Sequence, residues 1–116
     1  MSNSVIAPAI LAENADQYKE QVDKITGLVE RVHIDISDGE FAPTLTVGIP
    51  EIWAPEGWMI DIHAMVNDVA EYVPKLIALR PHMIIIHAEA TGDVKTALMQ
   101  IRHTGIMAGL EVIKHT

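Results

Sequence analysis

Apolar and polar residues alternate through a stretch near residue 32, and the predicted fold is arranged around it. Every second position of Val32–Ser37 is apolar. Because successive side chains of a β-strand point to opposite faces, His33, Asp35 and Ser37 share one face and the apolar residues share the other. The pattern predicts a strand over about 30–37 that ends at an Asp-Gly turn.

Four other stretches also have the composition of strands. They are 5–11, 58–65, 82–89 and 107–113. Pro8 indicates that the first strand ends near that residue, because proline has no N–H to donate to a neighbouring strand. Within the third strand, Asp61, His63 and Met65 are predicted to share a face, and Ile85, His87 and Glu89 are predicted to do so within the fourth.

Apolar residues at spacings of three and four predict a helix after the first strand. It begins after Asn14, whose side chain can cap the helix and form a capping box with Gln17. Its apolar stripe consists of Ala15, Tyr18, Val22, Ile25 and Val29. Gly27 lies near its end, where a left-handed residue is common.

Two more helices are predicted, one after each of the next two strands. The first runs from residue 67 or 68 to Leu79, and Pro74 predicts a kink or a restart within it. The second opens at 91–93 and ends at Gly105. Its stripe consists of Val94, Ala97, Leu98 and Ile101. Residues 40–50 are expected to be loop, and a helical turn is expected within 51–54.

Strands that recur about every two dozen residues, with helices or loops between them, predict a single α/β domain over 1–116 with a parallel sheet. Such spacing suits a (β/α)8 barrel or a doubly wound sheet. No glycine-rich phosphate motif follows the first strand, which counts against a dinucleotide-binding fold. The spacing is compatible with either architecture, and the missing motif disfavours only the dinucleotide-binding kind of doubly wound sheet.

Composition excludes several functional classes. The formal net charge of −8 argues against nucleic acid as a partner, because phosphate contacts need clustered basic residues. The chain has no cysteine, which excludes disulfides and thiolate metal sites. It has no apolar run long enough to span a membrane and no basic N-terminal signal, so we expect a cytoplasmic protein without a membrane partner.

Polar side chains occur at the C-terminal ends of three consecutive predicted strands. They are His33 and Asp35, Asp61 and His63, and His87 and Glu89. Neighbouring parallel strands lie about 4.8 Å apart, so these side chains can converge where barrel active sites are found. Two imidazoles and a carboxylate, His33, Asp35 and His63, are costly to bury without a metal or a proton-transfer function.

Structural roles are the alternative for several of these residues. His87 could be a hydrogen-bonded core histidine, Glu89 could cap the following helix, and Met65 could be ordinary packing. Asp61 could be a buried carboxylate bonded to the backbone. The remaining histidines are expected at the surface; they are His82, His103 and His115.

Four stretches of this chain resemble the ribulose-phosphate 3-epimerase family. They are Ile6–Leu11, His33–Pro43, Asp61–Met65 and His87–Ala90, and the similarity runs in order through the whole chain. The resemblance implies a (β/α)8 barrel of about twice this length, of which this chain would contain about the first five strands. It also implies the interconversion of D-ribulose 5-phosphate and D-xylulose 5-phosphate, a reaction of the pentose phosphate pathway.

The resemblance also implies roles for particular residues. His33, Asp35 and His63 would bind a divalent metal such as zinc, iron, manganese or cobalt, and Asp35 would also be one of two acid/base carboxylates. Met65 would lie beside the reacting carbons, and the substrate site would further include Ala9, Ser37 and His87. The chain departs from the family at three positions, where serine, methionine and asparagine are usual. They are Ala9, Ser37 and Thr44.

The family's second catalytic aspartate, also a metal ligand, lies on strand seven, and its phosphate site follows strands seven and eight. We therefore expect either a fragment or a homo-oligomer, such as a two-fold dimer of half-barrels in which Asp61 or His63 of the second chain occupies the missing place. A metal-binding or assembly module without catalysis is the alternative function. A third possibility is another barrel isomerase or an aldolase-like enzyme, although the lysine-dependent aldolases are disfavoured because no strand bears a lysine suited to a Schiff base.

Overall fold

The computed structural model describes residues 8–39 and 46–112. The predictions for 5–7, 40–45 and 113–116, including the first half of strand one and Thr44, lie outside these residues. The described residues form one sheet of five parallel strands, ordered β1-β2-β3-β4-β5. The strands are β1 (Ala9–Ile10), β2 (Arg31–Ser37), β3 (Met59–Met65), β4 (Met83–His87) and β5 (Met107–Glu111).

Within the described ranges, three α-helices and one short 3₁₀ turn lie between the strands. They are α1 (Ala15–Ile25), the 3₁₀ turn (Ile49–Glu51), α2 (Val69–Ala78) and α3 (Val94–His103). Each α-helix begins after a side chain that accepts a hydrogen bond from a backbone N–H of the first turn, as the N-cap rule requires. The capping side chains belong to Asn14, Asp68 and Asp93.

The capping box predicted for α1 is only half formed. Asn14 Oδ1 accepts from the Gln17 backbone N–H at 2.9 Å, as expected. The Gln17 side chain, however, accepts from the backbone N–H of Glu13 at 3.0 Å, one residue before the predicted partner. In the apolar stripe, Ala15 is exposed because it starts the helix, and Val29 lies beyond the helix end at Ile25.

Three other boundary predictions were wrong. Helix α2 continues through Pro74, so the predicted restart is wrong, while the alternative of a kink stays a prediction. The helical turn expected within 51–54 is a 3₁₀ turn over Ile49–Glu51, which begins in residues predicted to be loop. Strand β4 ends at His87, because the Ala90 N–H bonds back to the His87 carbonyl and turns the chain, so Glu89 lies beyond the strand.

One apolar core joins the strands to the helices. The even-numbered residues of the central strands, except the partly buried Ile60, are almost fully buried; they are Val32, Ile34, Ile36, Ile62, Ala64, Ile84 and Ile86. They form a single cluster with buried residues of α1, α2 and α3, including Tyr18, Val73 and Ile101. The helices therefore cover the even-numbered face, and the odd-numbered residues lie on the opposite face, which we call the open face.

The strand order decides between the two predicted architectures. A doubly wound sheet reverses its strand order at a switch point, whereas these five strands follow one another without reversal. This confirms the α/β class and agrees with half of a (β/α)8 barrel, in which the open face corresponds to the barrel interior. Among the described residues, no helix is long and apolar enough to cross a membrane.

Candidate metal centre

Hydrogen bonds between loops hold the C-terminal ends of the central strands together. Asp38, after β2, accepts the backbone N–H of Asn67 at 2.8 Å, which links it to the loop after β3. The Asn67 side chain in turn accepts the hydroxyl of Thr91, after β4, at 2.7 Å. Gly39 has a φ of +80°, a left-handed conformation that the Asp-Gly turn requires. The rim of the sheet is thereby fixed around the polar side chains.

Strand register brings the predicted metal ligands together on the open face. Asp35 lies directly opposite His63 on the neighbouring strand. The Oδ1 atom of Asp35 lies 3.2 Å from Nδ1 of His63 and 3.3 Å from Nε2 of His33. The three ligand atoms are all within 4.8 Å of one another. The sequence prediction that these residues converge is confirmed.

The other ring nitrogen of His63 faces a second set of groups. Its Nε2 atom lies 2.7 Å from a carboxylate oxygen of Glu111 and 2.8 Å from Nε2 of His87. The rings of His63 and His87 stack with their centroids 4.9 Å apart. His63 is therefore shared by two clusters, one on each side of its ring.

Neighbouring groups shift the pKa values of two histidines at this site, His63 and His87. The hydrogen bond to Asp35 raises the pKa of His63, and the negative charge of Glu111 raises it further against the opposing effect of burial. Burial lowers the pKa of His87, and the positive charge of His63 lowers it further. Of these two rings, His63 therefore has the raised pKa and His87 the lowered one.

The predicted triad fits a divalent cation. Two imidazole nitrogens and one carboxylate oxygen form a ligand set suited to zinc, iron or manganese. Ligand atoms about 2.05 Å from a tetrahedral ion lie roughly 3.3 Å apart. The separations of 3.2 Å between Asp35 and His63 and of 3.3 Å between Asp35 and His33 match this spacing. The ligand atoms of the two histidines lie within 4.8 Å of each other, so small side-chain movements would let the triad hold an ion.

Asp61 belongs to a different contact. It is almost fully buried, and its Oδ2 atom accepts from Nε of Arg31 at 2.8 Å. The structural alternative is thus favoured for Asp61, although its partner is an arginine side chain and not the backbone. The signal for this pair was present in the sequence, because Arg31 is two residues before His33 and shares its face.

The predicted substrate-binding residues occupy the same face, with different environments. Ala9 lies opposite His33 in the strand register and is exposed. Met65 is partly buried and lies opposite Ser37. The Ser37 side chain is buried, and its hydroxyl oxygen accepts the Gly39 N–H at 3.4 Å. Their roles toward a substrate remain predictions.

Glu111 is the site residue that sequence reasoning missed. It lies in β5 directly opposite His87. The sequence of β5 alone could not assign Glu111 to a face, because both faces of this strand carry apolar residues. Counting the register from His87 across to the fifth strand would have placed its carboxylate beside the histidines.

The strands follow one another in parallel, and a cluster of possible metal ligands lies at their C-terminal ends. These two features define the class of this protein: a barrel-type α/β protein with a candidate metal centre. The family model for "Ribulose-phosphate 3 epimerase family" matches residues 5–116. The chain belongs to this family.

Relatives named ribulose-phosphate 3-epimerase match most of the chain. The protein of Mycobacterium tuberculosis (strain ATCC 25618 / H37Rv) is 30% identical over 93% of this chain and 48% of its own length. That of Bacillus subtilis (strain 168) is 31% identical over 96% of this chain and 53% of its own length. That of Chlamydia pneumoniae is 37% identical over 68% of this chain and 36% of its own length. The chain thus spans about half the length of the first two relatives and about a third of the third.

Proposed function

We propose that this chain supplies the metal-binding half of an active site for the 3-epimerisation of a ketopentose phosphate. The substrate pair would be D-ribulose 5-phosphate and D-xylulose 5-phosphate, as the names of its relatives suggest. The observation that supports the proposal best is the convergence of His33, Asp35 and His63 at the strand ends. Cytoplasmic location remains a prediction.

Asp35 is the residue proposed to move the proton at C3. Among the described residues, both histidine contacts go to its Oδ1 atom, which leaves Oδ2 to act as the base. The Asp35 side chain is 18% exposed, so a substrate entering from the open face can reach it. A cation held by His33, Asp35 and His63 would supply positive charge that stabilises an oxyanion forming on the substrate.

Inversion at C3 needs a second acid that returns the proton on the opposite face of the substrate. The resemblance places that acid on a seventh strand, so we propose that a partner chain or the other half of a longer barrel provides it. A homo-oligomer of half-barrels would also cover the open face. Sedimentation velocity tests this: a stable monomer at assay concentrations would contradict the oligomer.

The test of the function is an epimerisation assay with ribulose 5-phosphate and added zinc, iron or manganese. We expect turnover that Asp35→Asn lowers by about 10²–10⁴-fold, the usual contribution of a general base. Asp16→Asn, at an exposed position of α1, is the matched control and should retain full activity. Turnover that survives Asp35→Asn unchanged would contradict the assigned base.

A metal-binding or assembly module without catalysis is the second candidate. It is favoured by Ala9, which stands opposite His33 on the open face without a side-chain hydroxyl for a substrate. Absence of turnover with every metal, in a folded sample that binds the metal, would favour this candidate over the enzyme.

A further inference from the structure

His63 presents two different nitrogen atoms to two different ligand sets. Its Nδ1 atom faces Asp35 at 3.2 Å, and its Nε2 atom faces Glu111 at 2.7 Å and His87 at 2.8 Å. A neutral imidazole carries one N–H and one lone pair, so only one side of the ring can bind a cation at a time. The tautomer of His63 therefore decides which set is able to bind.

We propose that His63, His87 and Glu111 form a second divalent-cation site, separate from the site in which Asp35 is a ligand. Its three ligand atoms lie within 4.8 Å of one another. The separations of 2.7, 2.8 and 3.7 Å bracket the roughly 3.3 Å expected between ligands of a tetrahedral ion. The set is two histidines and one carboxylate, as in many zinc and iron(II) sites.

Asp35 would act differently toward this second site. With a cation on Nε2, the proton of His63 lies on Nδ1 and is donated to the Asp35 carboxylate. A carboxylate that accepts the second N–H of a metal-bound histidine orients the ring and makes it a better ligand. Asp35 is thus a ligand in one arrangement and a positioning residue in the other.

The environment of the second site suits a bound ion that still exchanges with solvent. The His87 side chain is 7% exposed, which places one ligand in the protein interior. The Glu111 side chain is 52% exposed and closes the site from the outer side. Solvent can therefore fill the remaining coordination positions, and Glu111 can reach the ion without a change in the strands. Because both sites need His63, each chain should bind one cation in total.

The test is cobalt(II) binding, followed by visible absorption and by titration calorimetry of the purified full chain. Asp35→Asn removes the carboxylate ligand of the first site, whereas the amide oxygen that it introduces can still accept the His63 N–H in the second. We expect Asp35→Asn still to bind one cobalt ion, because the second site keeps all three of its ligands. Adding Glu111→Gln to that variant should abolish the remaining binding.

Matched variants separate this result from general damage. Glu56→Gln in the Asp35→Asn background makes the same chemical change at an exposed turn and should leave cobalt binding unaltered. Far-ultraviolet circular dichroism checks that each variant is folded. The second site is refuted if Asp35→Asn alone abolishes binding, or if the double variant with Glu111→Gln binds as tightly as Asp35→Asn. Since the readout is binding, it is independent of whether the chain catalyses epimerisation.

Discussion

The two faces of the sheet are built from the same strands but have opposite properties. On the helix-covered face, Ile34, Ile62 and Ile84 are no more than 1% exposed. On the open face, His33 and Asp35 have side chains that are 28% and 18% exposed. Strand alternation thus assigns stability to one set of residues and chemistry to its immediate neighbours. A substitution and its neighbour in sequence should therefore have very different effects.

The largest difference is expected between two isoleucines on opposite faces. Ile62→Ala should lower the free energy of unfolding by about 2–5 kcal/mol, because it leaves a cavity in the core. Ile85→Ala, on the partly exposed open face, should lower the free energy of unfolding by clearly less than Ile62→Ala. Urea unfolding followed by circular dichroism measures both. Equal losses would mean that the open face is covered in solution, for example by a second chain.

The second prediction concerns the ion pair on the open face. Arg31→Met leaves the buried carboxylate of Asp61 without its arginine partner. It should lower the free energy of unfolding by about 3 kcal/mol, since an uncompensated buried charge is destabilising. The double variant Arg31→Met/Asp61→Leu removes both charges and should recover most of that loss. Urea unfolding at neutral pH gives both values. A double variant as unstable as Arg31→Met would show that Asp61 has another structural role.

The smallest effect on the free energy of unfolding is expected at Asp93, the N-cap of α3, which is one of the helices on the covered face. Its carboxylate accepts hydrogen bonds from the Thr96 hydroxyl and backbone N–H, which lower the pKa of Asp93. Since the folded-state pKa is below the unfolded one, the stabilisation is present above the unfolded pKa and is lost as pH falls through the folded pKa. Unfolding between about pH 5 and pH 2 should depend less steeply on pH in Asp93→Asn than in the native chain. Identical slopes would contradict the cap.

Most of the fold could be predicted because one face of each central strand is buried. The alternation in β2 and β3 placed their bounds to within about one residue, and it also placed His33, Asp35 and His63 on one face. The Gln17 contact and the 3₁₀ turn were missed because local backbone geometry, and not periodicity, determines them. Glu111 was missed because its position depends on register across the fourth and fifth strands.

The unbroken strand order also has a consequence for how the chain reaches its native state. Among the described strands, each one after the first pairs with the strand that precedes it in sequence, so no other strand separates the two partners along the chain. The loops that must close are therefore short and of similar length, which favours rapid folding over folds with distant strand pairs. A nascent chain can add each new strand to an existing edge as it leaves the ribosome, so the sheet can grow in the direction of synthesis.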